Sequence, residues 1–324
     1  MRTCCLWYGI MKYSNLGKTG IKVSELGLGA LTIGYLQANL PLDEGAAVIK
    51  HALSLGVNFI DTAELYETYD YIRVACGEHS DVVLSSKSYA YSYEGMRDSV
   101  QLALESTGRK YIDIFSLHEQ TSRLTLKGHS EALRYLQEAK AAGLVRAIGV
   151  STHTVEVVRA AAMYDEIDII HPIINMRGLG IVDGTVEQML EAIEFAAYMG
   201  KGLYAMKALA GGHLSGNYHE AIDWIRGVPA IGSTVIGMQN IYEVEANAAL
   251  FNGQLPSQAC ADKLAKQVRT IRVEECCVGC GRCVEACGFG NISIEGGKCV
   301  IDTESCVRCA YCAAKCPQFS IKVF

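Results

Sequence analysis

Several absences limit what this chain of 324 residues does. No apolar run approaches the ~20 residues that a membrane-spanning helix needs. The longest stretch without a charged residue, 26–42, is interrupted by glycines, polar side chains and a proline. Lysines and arginines form no cluster, and the net charge is −6, which disfavours a nucleic-acid surface. We therefore expect no membrane span and no nucleic-acid partner.

Cysteine is scarce through most of the chain and dense near its end. The first 275 residues hold only four of the 14 cysteines, and the other ten fall between Cys276 and Cys316. Residues 1–10 lack a convincing signal-peptide cleavage site, so we interpret them as an N-terminal extension and expect a cytoplasmic protein. In that reducing compartment, dense cysteine indicates metal binding more often than disulfides.

Strand-like apolar runs alternate with segments of helical period between residues 11 and 255. A hairpin is predicted at 12–23, a strand at 26–30, and a helix from Asp43, as N-cap, to Leu55. Further strands are predicted at 57–61, 82–87, 111–118, 145–151, 168–174, 203–208 and 233–237. Further helices are predicted near 69–77, 94–107, 129–142, 154–163, 185–199, 219–226 and 240–249.

Eight strands, each followed by a helix, predict an α/β fold, a closed (β/α)8 TIM barrel. An open doubly wound sheet is the alternative, but the first strand-to-helix turn lacks the Gly-x-Gly-x-x-Gly motif typical of that fold. Barrel enzymes carry their active sites at the C-terminal ends of the strands. We therefore expect functional side chains where the predicted strands end.

Four polar residues lie at the ends of three successive predicted strands. Asp61 ends one strand, Tyr66 follows five residues later, and Lys87 and His118 close the next two strands. A phenol, with an ordinary pKa of ~10, becomes a useful proton donor when a cation lies beside it and a carboxylate holds that cation. Each residue alone has an ordinary structural explanation, such as a helix cap or a core histidine. Together they indicate one site.

In this order and spacing, the four residues resemble the catalytic tetrad of the aldo-keto reductases, in which Asp-x4-Tyr follows the second strand. The resemblance covers about residues 11–250 and includes Leu16-Gly17-x2-Gly20, Ile148-Gly149-Val150-Ser151 and Ile236-Gly237-Met238. It implies hydride transfer between a nicotinamide and a small carbonyl or alcohol substrate. Tyr66 would then supply the proton, Lys87 would lower the pKa of Tyr66, Asp61 would hold Lys87, and His118 would orient the carbonyl.

The resemblance also implies cofactor contacts at Ser151, Asn175, Lys207, Leu209, Gly212, Gln239, Glu243 and Asn247. Some positions depart from the family pattern: Thr152 replaces asparagine, His171 replaces glutamine, and Met206-Lys207 replaces Tyr-Ser. Gly237 and Glu243 stand where NADP-using relatives place lysine and arginine. A carboxylate repels a 2′-phosphate but accepts a hydrogen bond from a ribose 2′-hydroxyl. Of NAD(H) and NADP(H), NAD(H) is therefore favoured, unless Glu243 is merely a solvated helix residue.

The cysteine-rich end reads Cys277-x2-Cys280-x2-Cys283-x3-Cys287, then Cys306-x2-Cys309-x2-Cys312-x3-Cys316-Pro317. This spacing resembles the bacterial two-cluster ferredoxins, in which the fourth cysteine of each run binds the other cluster. The resemblance implies two [4Fe-4S] clusters, one bound by Cys277, Cys280, Cys283 and Cys316, the other by Cys306, Cys309, Cys312 and Cys287. Gly288 replaces the proline that would follow the first run, and Cys276 and Cys299 are expected to be non-ligands. Zinc or disulfides are the alternatives, but zinc ribbons use paired Cys-x2-Cys knuckles.

The expected organisation is an extension at 1–10, a barrel at 11–255, a helix or linker at 256–273, and a small α+β ferredoxin-like domain at 274–324. The expected function is aldo-keto reductase chemistry, with clusters that transfer electrons or dock a redox partner protein. Clusters pass single electrons whereas a nicotinamide transfers a hydride. Two other accounts therefore stay open: an electron carrier with a vestigial or partner-binding barrel, and a flavin or partner that joins the halves. Tyr89, Tyr91 and Tyr93 either line the site or cover a helix.

Overall fold

The computed structural model describes residues 11–77, 81–212, 214, 217–265, 270–306, 308, 311–318 and 320–323. The expected extension at 1–10 and the predicted ligand Cys309 lie outside the described residues. The described chain opens with a hairpin, as predicted, in which β1 (Tyr13–Asn15) pairs antiparallel with β2 (Lys22–Ser24). Gly17 in its turn has φ +54 and leaves no room for a side chain, because a Cβ there would meet the backbone of Gly202 at 2.4 Å.

Eight parallel strands close into a barrel in the order β10-β3-β4-β5-β6-β7-β8-β9, which confirms the predicted architecture. The strands are β3 (Leu26–Gly29), β4 (Phe59–Asp61), β5 (Val83–Ser88), β6 (Ile112–Gln120), β7 (Val145–Thr152), β8 (Ile169–Pro172), β9 (Gly202–Ala205) and β10 (Ser233–Gly237). The helices outside them are α1 (Leu42–Ser54), α2 (Tyr69–Cys76), α3 (Tyr93–Thr107), α4 (Arg123–Gly128), α5 (Ser130–Ala141), α6 (Val155–Ala162), α7 (Val186–Tyr198), α8 (Tyr218–Arg226) and α9 (Ile241–Phe251).

One local prediction about the helices was wrong, and one helix was missed. Asp43 is not the N-cap of α1, because Pro41 occupies that position with φ −52. Asp43 lies instead in the first turn, where a carboxylate interacts favourably with the helix dipole. The short helix α4 was not predicted; it begins at a capping box in which Ser122 and Thr125 each satisfy the other's backbone N–H.

The barrel interior is apolar at its N-terminal end. Inward-facing side chains of the strands pack there with three residues of the hairpin: Phe59, Val83, Ile114, Ala147, Ile169, Tyr204 and Val235 with Leu16, Ile21 and Val23. The hairpin thus closes this end of the barrel. The opposite end, where the strands finish, is left for polar groups.

The elements that follow α9 in the described chain are α10 (Gln258–Ala265), β11 (Ile271–Val273), α11 (Arg282–Ala286), β12 (Ile292–Glu295), β13 (Lys298–Ile301), α12 (Tyr311–Ala314) and β14 (Ile321–Val323). They form two antiparallel pairs, β11 with β14 and β12 with β13. The strands β12, β13 and β14 agree with the β content expected of the segment from 274 onward. Among the described residues, no helix is long and apolar enough to cross a membrane.

Candidate active site

Asp61 and Lys87 form a buried ion pair inside the C-terminal end of the barrel. They are carried by the adjacent parallel strands β4 and β5. Lys87 Nζ donates to Asp61 Oδ2 at 2.7 Å and to the Thr62 carbonyl at 2.6 Å. The Lys87 side chain is 2% exposed and the Asp61 side chain is 6% exposed. Burial lowers the pKa of Lys87 and the neighbouring Asp61 carboxylate opposes that shift. A charge this deep requires its partner, so each residue depends on the other.

Tyr66 and His118 lie directly beside this pair. The Tyr66 hydroxyl is 3.5 Å from His118 Nε2, and Lys87 Nζ lies 5.1 Å from the centre of the Tyr66 ring. Tyr66 keeps some exposure at the barrel mouth, yet burial raises its pKa well above the ordinary value, with a further rise from Asp61. Burial also lowers the pKa of His118 well below the ordinary value, and Lys87 contributes. Near neutral pH, both groups are therefore uncharged.

Burial therefore dominates the pKa of Tyr66, and the expected lowering by Lys87 stays a prediction. Lys87 directs its hydrogen bonds to Asp61 and Thr62 and lies over the face of the phenol ring, so the described contacts give the phenol oxygen no hydrogen bond from the cation. Tyr66 is thus a protonated donor rather than an already acidic phenol. Proton transfer from it depends on the basicity of the oxygen that receives the proton, as for an alkoxide developing in a transition state.

Of the three tyrosines after Lys87, only Tyr89 contacts the tetrad in the described contacts. Its ring stacks on the His118 imidazole with centroids 4.2 Å apart and planes at 23°, and its hydroxyl donates to Glu119 Oε2 at 2.7 Å. Tyr91 is 70% exposed, and Tyr93 begins α3. Among the described residues, His118 Nδ1 is buried without a hydrogen-bond partner.

Two of the strand-end positions after the tetrad are adjacent in the sheet. Ser151 on β7 pairs in register with His171 on β8. The Ser151 hydroxyl oxygen accepts the Glu119 backbone N–H at 2.8 Å, so its own hydrogen remains for another acceptor. His171 Nδ1 lies 2.8 Å from the Tyr204 carbonyl, which only accepts. Nδ1 therefore carries the proton, and Nε2 presents a lone pair.

The other predicted cofactor residues lie past the ends of β8, β9 and β10. Asn175 is buried, and its amide is used in its own loop: Oδ1 accepts from the Leu179 N–H and Nδ2 donates to the Leu179 carbonyl. Lys207, Leu209 and Gly212 follow β9, and Lys207 holds the left-handed φ of 55 that side chains rarely adopt. These residues thus occupy the half of the barrel opposite to the strands that carry the tetrad.

Gln239, Glu243 and Asn247 are linked by hydrogen bonds from just before α9 to its middle. Glu243 Oε2 accepts the Gln239 backbone N–H at 2.8 Å. Asn247 is buried, donates to the Glu243 carbonyl at 2.7 Å and accepts the Tyr218 hydroxyl at 2.5 Å. The Asn247 amide is thus engaged within the protein, whereas Gln239 and Glu243 stand at the helix N-terminus. The roles of all eight residues toward a cofactor stay predictions.

The sequence reasoning did not single out Tyr204, Ser85 or Glu119. Tyr204 lies on β9 and its hydroxyl donates to Asp61 Oδ1 at 3.0 Å. The sequence did contain a signal for it, because a tyrosine inside the strand predicted at 203–208 needs a partner for its hydroxyl once the strand is buried in a barrel.

A separate cavity lies in the cysteine-rich segment. Its lining includes the four thiols that the spacing assigned to one cluster, together with the buried Cys299: Cys277, Cys280, Cys283, Cys316 and Cys299. Backbone N–H groups point at two of these sulfurs, from Cys299 to Cys277 Sγ at 3.3 Å and from Ser320 to Cys316 Sγ at 3.2 Å. In the part of the chain that the structure describes, no three Cys, His, Asp or Glu residues are grouped to hold a single metal ion.

A closed parallel barrel with buried polar groups at its C-terminal face defines the class of barrel enzymes. Residues 25–227 match the Aldo/keto reductase family. L-galactose dehydrogenase of Arabidopsis thaliana is 26% identical over 213 residues, covering 62% of this chain and 66% of that protein. NADH-specific methylglyoxal reductase of Escherichia coli is 30% identical over 189 residues, covering 49% of this chain and 58% of that protein. A crystal structure of an aldo-keto reductase from Pseudomonas aeruginosa matches with a TM-score of 0.66 at 25% identity, covering 77% of this chain and 98% of that one.

The chain therefore belongs to the aldo/keto reductase family of oxidoreductases. The chain spans about two thirds of the length of the plant relative and somewhat less of the bacterial one. The cysteine-rich residues from 274 onward lie beyond the range that matches the family.

Proposed function

We propose that the protein reversibly transfers a hydride between a nicotinamide cofactor and a small carbonyl or alcohol. The observation that carries this proposal is the buried Asp61–Lys87 pair beside the Tyr66 hydroxyl and His118 Nε2. Four strand-end residues of these types, close together in a dry site, supply what carbonyl reduction requires at the oxygen. One group holds a proton, and fixed polar groups stabilise the charge that develops there.

In the direction of reduction, the cofactor supplies a hydride to the carbonyl carbon when it is bound. The C=O double bond then becomes single, and the oxygen takes the proton from the Tyr66 hydroxyl. Lys87 beside the ring stabilises the phenolate that remains, while Asp61 keeps Lys87 charged. His118, neutral because burial lowers its pKa, orients the carbonyl oxygen by a hydrogen bond. The phenolate regains its proton from solvent at the barrel mouth.

Residues at the C-terminal ends of β7, β8 and β10 are suited to a nicotinamide dinucleotide. The free hydrogen of the Ser151 hydroxyl and the lone pair of His171 Nε2 form a donor and acceptor set suited to a carboxamide. NAD(H) is favoured by Glu243 and Gly237. A Cβ at Gly237 would meet Thr32 Cγ2 at 2.1 Å, so the lysine of NADP-using relatives does not fit here unless Thr32 moves. One relative is named for NADH specificity, which supports the same preference.

We also propose that residues 274–324 form a ferredoxin-like domain with two [4Fe-4S] clusters, which supply single-electron transfer when bound. The cavity lined by Cys277, Cys280, Cys283 and Cys316 supports the first cluster. A four-iron cluster binds each thiolate at a different iron, so its ligands stand further apart than those of one metal ion. This accounts for thiols that share a cavity without forming a single-ion site. The N–H groups directed at sulfur are typical of such sites.

The second cluster rests on Cys287, Cys306 and Cys312, together with Cys309, which lies outside the described residues. The clusters would serve a redox partner protein in the cytoplasm, either by electron transfer or by docking. The second candidate function, an electron carrier with a vestigial barrel, is favoured by the cysteine cavity alone. The Asp61–Lys87 pair argues against it, because a buried ion pair is costly to keep without use.

The test compares two buried or partly buried lysines. Lys87→Met is expected to abolish NADH-dependent reduction of a panel of aldehydes and ketones. Lys201→Met is the matched control, because Lys201 Nζ donates only to the carbonyls of Tyr164 and Ile167 in the described contacts, at 2.6 and 2.7 Å, below β9. It should keep wild-type turnover. Circular dichroism would confirm that both variants fold. If Lys87→Met does not fold, the double variant Asp61→Asn/Lys87→Met replaces it, because it also removes the carboxylate charge that Lys87→Met leaves unpaired. Wild-type turnover in folded Lys87→Met would refute the proposal.

A further inference from the structure

We propose that Tyr204 is a positioning residue for this reaction, which acts through Asp61 on the catalytic side and through His171 on the cofactor side. This inference rests on the proposed function and extends it. Tyr204 lies on β9 with no exposed surface, one layer below the tetrad. It makes no direct contact with Tyr66 or His118 among the described hydrogen bonds, so any influence must pass through its neighbours.

The first link is the Asp61 carboxylate. Its Oδ1 accepts the Tyr204 hydroxyl at 3.0 Å and its Oδ2 accepts Lys87 Nζ at 2.7 Å. The two donors come from opposite parts of the barrel, β9 and β5, and each fixes one oxygen. Rotation of the carboxylate would break both bonds. Tyr204 therefore holds Asp61 in the orientation that keeps Lys87 beside the Tyr66 ring.

The second link is Ser85, which donates to Tyr204 because the carboxylate takes the only hydrogen of the phenol. Ser85 Oγ lies 2.8 Å from the Tyr204 hydroxyl oxygen. A tyrosine hydroxyl has one hydrogen, and an ionised carboxylate only accepts. Tyr204 must therefore donate to Asp61, and Ser85 must donate to Tyr204. Such a chain of hydrogen bonds in a low-dielectric interior strengthens its members and favours negative charge at its end.

The third link is His171. The Tyr204 carbonyl accepts the Nδ1 hydrogen at 2.8 Å, and the two rings stack with centroids 3.9 Å apart and planes at 18°. Burial lowers the pKa of His171 to about 4. The imidazole is thus neutral, with its tautomer set by Tyr204, and its Nε2 lies 4.0 Å from Asp61 Oδ2. Tyr204 thus contacts His171 through its backbone carbonyl and its ring, and contacts Asp61 through its hydroxyl.

This division predicts two separable effects. Tyr204→Phe removes only the hydroxyl, so kcat for carbonyl reduction should fall about tenfold or more, the range of a hydrogen bond to a charged group. The dissociation constant for NADH should stay within about twofold, because the contacts to His171 remain. Tyr204→Leu also removes the stacking and should weaken NADH binding in addition. Ser85→Ala leaves the donor to Asp61 in place, so its loss of kcat should be smaller than that of Tyr204→Phe.

Tyr69→Phe is the matched control. Tyr69 is another buried tyrosine whose hydroxyl lies 2.6 Å from a serine of β5, Ser86, but it has no carboxylate partner in the described contacts. Loss of a buried tyrosine–serine hydrogen bond should lower the melting temperature of both variants. Only Tyr204→Phe should lower kcat. An equal loss of kcat in Tyr69→Phe would show that the effect is structural and would overturn the proposal.

A double-mutant cycle tests whether Tyr204 works through Asp61. In the Asp61→Asn background, adding Tyr204→Phe should cost no further activity, because the carboxylate it orients is gone. Independent, multiplicative losses would overturn the proposal, as would wild-type kcat in Tyr204→Phe. If the wild type reduces no carbonyl, the proposed function fails instead. Tyr204 is then judged on NADH binding alone, where equal affinities for wild type and Tyr204→Leu would refute its link to His171.

Discussion

The barrel and the cysteine-rich segment differ in the kind of side chain that each one buries. The barrel buries a continuous aliphatic core between its strands and helices, and its inner layer is apolar as well. In the segment of about 50 residues from 274 to 324, the buried cluster among the described residues has six members: Cys277, Cys283, Cys299, Cys312, Ile292 and Ile321. Four of these are cysteines, so little aliphatic surface is buried there.

The barrel therefore has the hydrophobic core on which a domain folds, whereas under the proposed function the segment would depend on the clusters bound at its thiols. A chain of this size rarely gains more than about 3–5 kcal/mol from a single core, and natural domains of this kind use metals or disulfides. All described cysteines are free thiols, including those with their sulfurs in one cavity. Binding energy at those sulfurs would then be folding energy for the segment.

The largest expected effect follows from this contrast. Anaerobically purified protein should contain about eight iron and eight sulfide per chain, the content of two four-iron clusters. Stripping the iron with a chelator under reducing conditions should unfold the segment after residue 274 and leave the barrel intact. Limited proteolysis followed by mass spectrometry would detect loss of the segment, and circular dichroism would show the barrel transition unchanged.

Substitutions of two cysteines test whether a cysteine binds iron. Cys280→Ser should lower the iron content, because Cys280 lines the cavity, whereas Cys276→Ser should not, because the exposed Cys276 lies outside that lining. Protein that binds zinc but no iron after anaerobic reconstitution would contradict the cluster assignment.

The second prediction concerns the barrel site. Tyr66→Phe should lower kcat for carbonyl reduction by about 10²–10⁴-fold, the usual contribution of a general acid. NADH affinity should stay nearly unchanged, because the phenol acts in the transition state rather than in cofactor binding. Steady-state kinetics with NADH titration by fluorescence would separate the two constants. The cluster content should match wild type. Wild-type turnover on the best substrate would show that another group donates the proton.

The sequence pointed to those site residues that lie at or just after the ends of predicted strands. Asp61, Tyr66, Lys87 and His118 could be grouped because strand ends of a parallel barrel converge at one face, and the structure places them in direct contact. The barrel itself could be predicted because strand and helix periods alternate regularly.

The rest could not be predicted, because it depends on distances between elements far apart in sequence. Tyr204 and Asp61 are separated by 143 positions, and no local pattern reports their contact. The balance between burial and charge at Tyr66 also requires the surroundings of the phenol to be known. Likewise, the sequence position of Asn247 suggests a contact with the cofactor, but its Oδ1 already accepts the Tyr218 hydroxyl.

The third prediction is a change of cofactor preference by about tenfold. Wild type should bind NADH more tightly than NADPH, and Glu243→Arg should raise the affinity for NADPH. Arginine would replace a repelling carboxylate with a charge-assisted partner worth roughly 1.5–3 kcal/mol. Glu243 also accepts the Gln239 N–H, so Glu243→Gln is the control that keeps an acceptor without the charge. Tighter NADPH binding by wild type, or no gain in Glu243→Arg, would show that Glu243 does not face the ribose.

The smallest expected effect is the response of carbonyl reduction to pH, which tests how dry the barrel site is. Burial raises the pKa of Tyr66, so the phenol keeps its proton as the pH rises past its ordinary value. Burial lowers the pKa of His118, so the imidazole stays neutral as the pH falls through its ordinary value. Both reactive forms therefore persist, and kcat for reduction should be flat from about pH 6 to 9, around the unperturbed values of ~6.5 and ~10. Alcohol oxidation should instead accelerate with rising pH, because it requires Tyr66 to have lost its proton. Profiles of kcat at saturating cofactor in both directions would check this. If kcat for reduction instead falls as the pH is lowered, with a midpoint near ~6.5, His118 titrates at its unperturbed value. Water would then reach His118, and the site would not be the dry interior that its burial indicates.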